Sequence, residues 1–303
     1  MQVCSKEQAL SQWANTWLRN ALFIPEPLAV INMKHSITLL IILFAFAAQG
    51  QKKAEKLFQK AISNYESGNY YDAATDFQEI AENHKRFKYH DQCFYNTAYS
   101  YHQADSLTLA ITWYEKIRAS NLKDDNRVGG RGILEPYANY KHYSTFNIAT
   151  IEYNRENYEK ALEYYRQSLE KYPYYNESGT DLRTNKNQLT IYVSDCLEKL
   201  EKYEEALLTI VPEALDSKRS SNYESVVKRS IEIITDHFDK EKIQQELSTA
   251  LETLEKNEKE GSYSITIRNK KIKLFPYWLD DDSIDGLKKE IIDSEFWKKL
   301  IEE

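Results

Sequence analysis

Residues 148–173 read IATIEYNRENYEKALEYYRQSLEKYP, and this stretch decides the fold. Ala149 is followed twelve positions later by Ala161, and four after that by Tyr165. Residues four apart lie one above the other on the same helix face. Two small residues on successive helical segments mark a place where paired helices cross closely, and the bulky ring fills the groove one turn on. The polar run Asn154–Asn157 separates the segments, and Pro173 cannot continue the second. The stretch predicts a helical hairpin.

The same spacing occurs four times, as Ala61/Ala73/Phe77, Ala98/Ala110/Tyr114, Ala149/Ala161/Tyr165 and Ser194/Ala206/Ile210. Three residues before the second member stands Tyr70, Leu107, Tyr158 or Tyr203. Four phased copies predict an array of stacked hairpins over residues 51–215. The first copy adds Ala61, Tyr65, Gly68-Asn69-Tyr70 and Ala73; the second lacks the turn glycine, and the fourth is degenerate outside Ser194, Tyr203 and Ala206. With the third copy, these residues resemble the tetratricopeptide repeat (TPR) family, whose pattern runs W-x₂-L-G-x₂-Y…A-x₃-F…P on a period near 34. The resemblance implies an all-α fold, a TPR-like α-solenoid.

The period is uneven. Successive second-helix alanines lie 37, 51 and 45 residues apart. The surplus falls mainly in Ser120–Lys141, which contains Val128-Gly129-Gly130-Arg131-Gly132, and in Tyr174–Asn187, read as a polar loop. Beyond Leu215, Val226, Val227, Ile231, Ile234 and Phe238 keep helical spacing, as do Ile243, Leu247, Ala250 and Leu254. They predict a fifth pair, so the array spans residues 51–260.

Residues 261–303 differ. Tyr263–Phe275 alternates, and folding it about Asn269-Lys270 sets Ile267 opposite Ile272 and Ile265 opposite Leu274, a small β-hairpin. A final helix carries Leu287, Ile291, Phe296 and Leu300. Hairpin and helix are expected to cap the stack, whose exposed end needs a terminal unit.

At the other end, Met33-Lys34-His35 precedes Ile37–Ala48, twelve residues with only Thr38 polar, and Ala48-Gln49-Gly50 offers a small-residue exit. Basic start, short apolar core and small exit describe a secretory signal peptide at 33–50. The run is short of the ~20 residues of a membrane span, so the mature form is expected to have no integral anchor. Met1 and Met33 are the only methionines, and residues 1–32 read as an upstream extension from a misassigned start. The protein is therefore expected to be exported, to the periplasm or cell surface.

The composition narrows the chemistry. Gly (8) and Pro (6) are scarce, which disfavours a turn-rich β design, and a net charge of −7 argues against nucleic acid as partner. Cys93 and Cys196 fall in apolar helical patterns and read as buried free thiols. His90-Asp91-x-Cys93 lacks zinc-site spacing, and Gly129–Gly132 lacks the Lys-Ser/Thr of a phosphate loop. No nucleophile motif is present, so no catalytic residue, metal or cofactor is assigned.

The tyrosine count, 23 of 303, is the unusual number. In the TPR family the first helix of each hairpin lines a concave groove. Carried onto this sequence, that stripe comprises Phe58, Ile62 and Tyr65; Tyr95, Tyr99 and His102; and Tyr143, Phe146, Tyr153 and Asn154. Aromatic residues are frequent contact anchors at interfaces. TPR domains that clamp acidic chaperone tails carry Lys and Asn on this stripe, and here those positions are aromatic or aliphatic. The expected function is an exported scaffold or adaptor holding a protein or peptide, with a specific form in cell-envelope assembly. The rival is a carbohydrate or small-ligand binder using the same aromatic groove.

Overall fold

A computed structural model describes residues 49–127, 136–216, 220–276 and 279–302. The expected signal peptide and upstream extension lie outside the described residues up to position 48, as does the Gly129–Gly132 loop. Among the described residues no helix is long and apolar enough to cross a membrane.

Five helical hairpins follow one another. They are α1 (49–66) with α2 (Tyr70–Asn83), α3 (His90–Gln103) with α4 (Leu107–Ala119), α5 (Tyr140–Asn154) with α6 (Tyr158–Glu170), α7 (Gly179–Lys199) with α8 (Tyr203–Asp216), and α9 (Tyr223–His237) with α10 (Lys240–Leu251). The crossing residues sit where their spacing placed them. Ala61, Ala73, Ala98, Ala110, Ala149, Ala161, Ser194 and Ala206 are all wholly buried. Ser194 fits an alanine's place because its Oγ donates to the Ile191 carbonyl of its own helix, 2.7 Å away.

The first four hairpin turns share one geometry. A residue with left-handed backbone follows the first helix: Gly68 (φ 80°), Asp105 (55°), Glu156 (62°) or Glu201 (58°). Its N–H and that of the next residue return to carbonyls three and five back, as in Glu156 N to Tyr153 O at 2.9 Å and Asn157 N to Glu152 O at 2.9 Å. The turn glycine of the first copy is thus replaced by acidic residues in the other three, with the bond pattern kept.

The apolar core runs as two clusters that meet at α5. Ile148 and Ile151 join the first two hairpins, while Ala149 joins the later ones and the C-terminal unit. The long connection between α4 and α5 is tied at its base. Asp124 accepts the amides of Lys141 and His142 through its two oxygens, both at 2.8 Å, and so caps α5 from a distance. Arg127 forms a β-bridge with Tyr137.

Four expectations need correction. Tyr174–Asn187 is not a loop throughout, since α7 begins at Gly179, where the Ser178 hydroxyl accepts the Asp181 amide and caps the helix. The hairpin turns at Arg268-Asn269, not Asn269-Lys270. Ile265 faces Ile272, and Tyr263 rather than Ile265 faces Leu274. Both turn residues have positive φ (49° and 61°), as a two-residue hairpin turn of this hand requires. The slip is two residues, so the apolar face is unchanged. Third, the fifth pair exists, but α10 packs chiefly on the sheet rather than on α9. Its continuation, Glu255–Asn257, is a strand (β1) that joins β2 (Ser262–Ile267) and β3 (Lys270–Leu274) in the order β1-β2-β3. Last, the final helix is two, α11 (Ile284–Ile292) and α12 (Glu295–Glu302), broken where Ser294 Oγ accepts the Trp297 amide. This unit packs on the end of the array, with α8 against β3 and α9 against α12.

Candidate functional site

The first helices of successive hairpins meet ring to ring. Tyr65 on α1 lies 6.2 Å from Tyr99 on α3, and Tyr95 on α3 lies 6.3 Å from Tyr143 on α5. Phe146 on α5 lies 5.6 Å from Tyr192 on α7. Within α3, Tyr95 and Tyr99 are one turn apart and nearly parallel, at 6.0 Å and 12°. Four of the array's first helices therefore share a continuous aromatic face, and its rings are half-buried rather than sealed.

Most of the expected residues belong to this face. Tyr65, Tyr95, Tyr99, Tyr143, Phe146 and Tyr153 are all half-buried, as is Ile62. Burial, with the neighbouring Tyr99 and Tyr70, pushes the Tyr65 phenol up to about 12. The Tyr95 oxygen accepts from Asn147 Nδ2 at 3.2 Å. His102 is half-buried beside Tyr114, whose hydroxyl is 3.4 Å from Nδ1, and burial lowers its pKa against a smaller opposing effect of Asp105. Asn154 is exposed at the end of α5.

Phe58 is the exception. It is 6% exposed and packed by Phe77, Phe87 and Tyr89 at 5.8, 5.5 and 5.0 Å. The segment after α2 folds Phe87 and Tyr89 over it, so Phe58 is core. Spacing along α1 could not show that a later loop would cover it.

One member of the face was missed: Tyr192, half-buried, stacks on Tyr165 at 5.1 Å and 11°. Tyr140 lies 5.7 Å from Tyr95 but is 3% exposed and, like Phe58, belongs to the core. Tyr192 belongs to the degenerate fourth copy, whose first-helix stripe had no marker beyond Ser194.

Two charged features border the face. Beside Tyr140 is a pocket of 430 Å³ lined by Lys88, Asp91, Gln92, Lys123 and Arg127, with the tyrosines Tyr89 and Tyr140. Beyond Tyr192, Arg229 on α9 is held by Asp195 at 2.6 Å and by Glu198, both on α7, and Glu198 also meets His237 Nε2 at 2.7 Å. Burial raises Glu198, but Arg229 and His237 together hold its carboxyl below the usual range.

The residues considered for chemistry have structural partners. His90 Nε2 is 3.0 Å from the Ala81 carbonyl and Nδ1 is 3.1 Å from Asp91. Cys93 and Cys196 are buried free thiols, and burial pushes both up to about 12, far from the thiolate that a nucleophile needs. Among the described residues no group of three His, Cys, Asp or Glu side chains is placed to hold a metal.

No curated protein matches the chain. Residues 58–122, from the middle of α1 to just past α4, match the tetratricopeptide repeat family. That match, with the same turn and crossing geometry carried on to α8, identifies the fold as a TPR-like α-solenoid, a type of repeat that supports protein–protein interaction scaffolds.

Proposed function

We propose that the chain is an exported scaffold that holds a protein or peptide along the tyrosine face of α1, α3, α5 and α7. The carrying observation is the continuity of half-buried rings across repeats, at 6.2, 6.3 and 5.6 Å. Neighbouring repeats of a stacked array pack on one another in any case; what favours a binding face is that these rings stay half-buried and so keep surface open to a partner. Rigid aromatic surface with a polar tip gives large contact area at low ordering cost, which suits an interface. The leader at 33–50 supports work outside the cytoplasm, in the periplasm or at the cell surface, and a role in envelope assembly is its specific form.

The experiment is capture of partners from the cells that make the protein, followed by affinity measurement for Tyr99→Ala and Tyr153→Ala. Each is expected to weaken binding by about 2 kcal/mol, roughly thirtyfold. Tyr71, half exposed on α2, is the control. Wild-type binding by both variants, with circular dichroism unchanged, defeats the reading. Sequencing the N-terminus of the native protein tests export, and a start at Met1 in the cytosolic fraction defeats that part.

A further inference from the structure

Each of the first four hairpin turns carries an exposed carboxylate: Glu66, Asp105, Glu156 and Glu201. The turns share one geometry, so these residues mark one edge of the stack, where the first helices that bear the tyrosines end. Among the described residues none of the four forms an ion pair. We infer that the partner segment on this face is basic, with arginine side chains laid on the tyrosine rings and their charge balanced by the acidic edge. This deepens the proposed function and rests on it.

The face itself is poor in positive charge. α3 has no Lys or Arg, and α5 has only Lys141, in its first turn. Cations of the flanking first helices pair with the second helix of their own hairpin. Lys53 and Lys60 on α1 meet Glu79 and Asp76 on α2 at 3.5 and 2.9 Å. Arg183 and Lys186 on α7 meet Asp216 and Glu213 on α8 at 3.3 and 2.6 Å. An acidic segment would find few cations here to receive it, in a chain whose net charge is −7.

The rings point the same way. A tyrosine ring is negative on its face and attracts a cation set over it. Elsewhere the chain supplies such cations itself: Lys116 lies over Trp113 at 3.8 Å, Lys88 over Tyr89 at 4.7 Å and Arg118 over Tyr164 at 4.8 Å. Among the described residues no Lys or Arg is set over Tyr65, Tyr99, Tyr153 or Tyr192, all half-buried. Arginine suits them because its guanidinium is planar and weakly hydrated.

The edge and the face are neighbours. Asp105 opposes the effect of burial on His102, a residue of the face. Arg155, beside Glu156, turns to Glu152 at 3.8 Å. Lys199 and Lys202 flank Glu201, so the acidic edge is purest over the first three hairpins. The cations of the pocket beside Tyr140 lie at the other end of α3 and α5. There Lys88 is paired with Glu55 at 3.4 Å and Arg127 with Glu177.

The test is calorimetric titration of the full chain with a synthetic Gly-Ser peptide that carries several arginines. Three comparison ligands are the same peptide with citrulline for arginine, which keeps the shape and removes the charge, one with glutamate for arginine, and a soluble oligosaccharide. The arginine peptide is expected to bind at least tenfold more tightly than the citrulline one, and to weaken as salt is raised. Tyr99→Ala should weaken it about tenfold, and Tyr99→Phe, which keeps the ring, much less. The double variant Asp105→Asn with Glu156→Gln should weaken the arginine peptide roughly fivefold and leave the citrulline peptide unchanged. Equal binding of the arginine and citrulline peptides overturns the inference, as does tighter binding of the glutamate peptide or of the oligosaccharide. If none of these ligands binds while a captured partner still depends on Tyr99, the inference falls and the scaffold reading stands.

Discussion

Asn139 holds the backbone of Tyr175 at both its polar groups. Its Nδ2 donates to the Tyr175 carbonyl at 2.9 Å, and its Oδ1 accepts the Tyr175 amide at 2.8 Å. Asn139 is wholly buried at the start of α5, with φ 50°, and Tyr175 lies in the connection from α6 to α7. One side chain thus ties the end of the long α4–α5 connection to the next repeat. Asn tolerates the left-handed region better than most residues because its short amide bonds locally.

Replacing Asn139 by Ala removes both bonds and leaves a strained backbone. At about 1 kcal/mol for each of the two hydrogen bonds and about 1–2 kcal/mol for the left-handed residue, the expected loss is about 3–4 kcal/mol. Asn139→Gly should cost less, because glycine accepts this φ. Urea denaturation of both variants checks the order; equal losses would show that the backbone conformation contributes nothing.

Arg183 and Asp216 clamp the C-terminal unit to the array. Their side chains are 8% and 4% exposed and 3.3 Å apart. Arg183 donates to the Phe275 carbonyl, and Asp216 Oδ2 accepts the Phe275 amide at 2.7 Å. Removing one partner of a buried pair leaves the other charge unpaired, at a cost of about 3–5 kcal/mol. Arg183→Met should therefore destabilise strongly, while the double variant with Asp216→Asn recovers part, since Asn can still accept from Phe275. A double-mutant cycle by thermal denaturation reads this, and additive losses would mean the pair is not coupled.

The repeated hairpin turn makes a prediction of opposite sign. Glu156 occupies the left-handed position that Gly68 fills in the first hairpin. A non-glycine residue is strained there by about 1–2 kcal/mol, and glycine loses part of that gain through its freer unfolded chain. Glu156→Gly is expected to stabilise by about 0.5–1 kcal/mol, and Gly68→Ala to destabilise by a similar amount. Melting temperatures shifting the other way would show that side chains, not backbone strain, govern these turns.

What the sequence made legible follows from which interactions are local. Ala149, Ala161 and Tyr165 lie in one hairpin, and close crossing demands small residues there, so the phasing could be read directly. The tyrosine stripe followed from that phasing. The fate of Phe58 depended on Phe87 and Tyr89, which arrive from a later loop. Likewise β1 is three residues long, and it exists because β2 offers it an edge, not because Glu255–Asn257 favour strand. The cap from Asp124 and the tie from Asn139 to Tyr175 act over 17 to 36 residues of chain, and no spacing rule marks them.

His142 supplies a pH dependence. It is 1% exposed; its Nδ1 lies 2.8 Å from the Tyr172 carbonyl and its Nε2 3.2 Å from Asn185 Nδ2. These partners fit a neutral ring with its proton on Nδ1. Burial lowers its pKa, against smaller opposing effects of the Tyr172 carbonyl and Asp124. The sign follows from linkage. Above about pH 6.5, the ordinary histidine value, neither folded nor unfolded chain carries a proton here. As pH falls through that value, the unfolded chain takes up a proton that the native ring refuses, and stability declines until the lowered native value is reached. His102, also lowered by burial, acts in the same direction. Asp124, Asp195 and Asp216 are raised by burial and act with the opposite sign, in the more acidic range nearer the carboxylate values. Urea midpoints measured from about pH 8 down to about pH 5.5 should fall below about pH 6.5. In His142→Gln that fall should be shallower by at most one proton's worth of slope. If the variant keeps the wild-type slope, His142 is not the group whose protonation the unfolded chain gains.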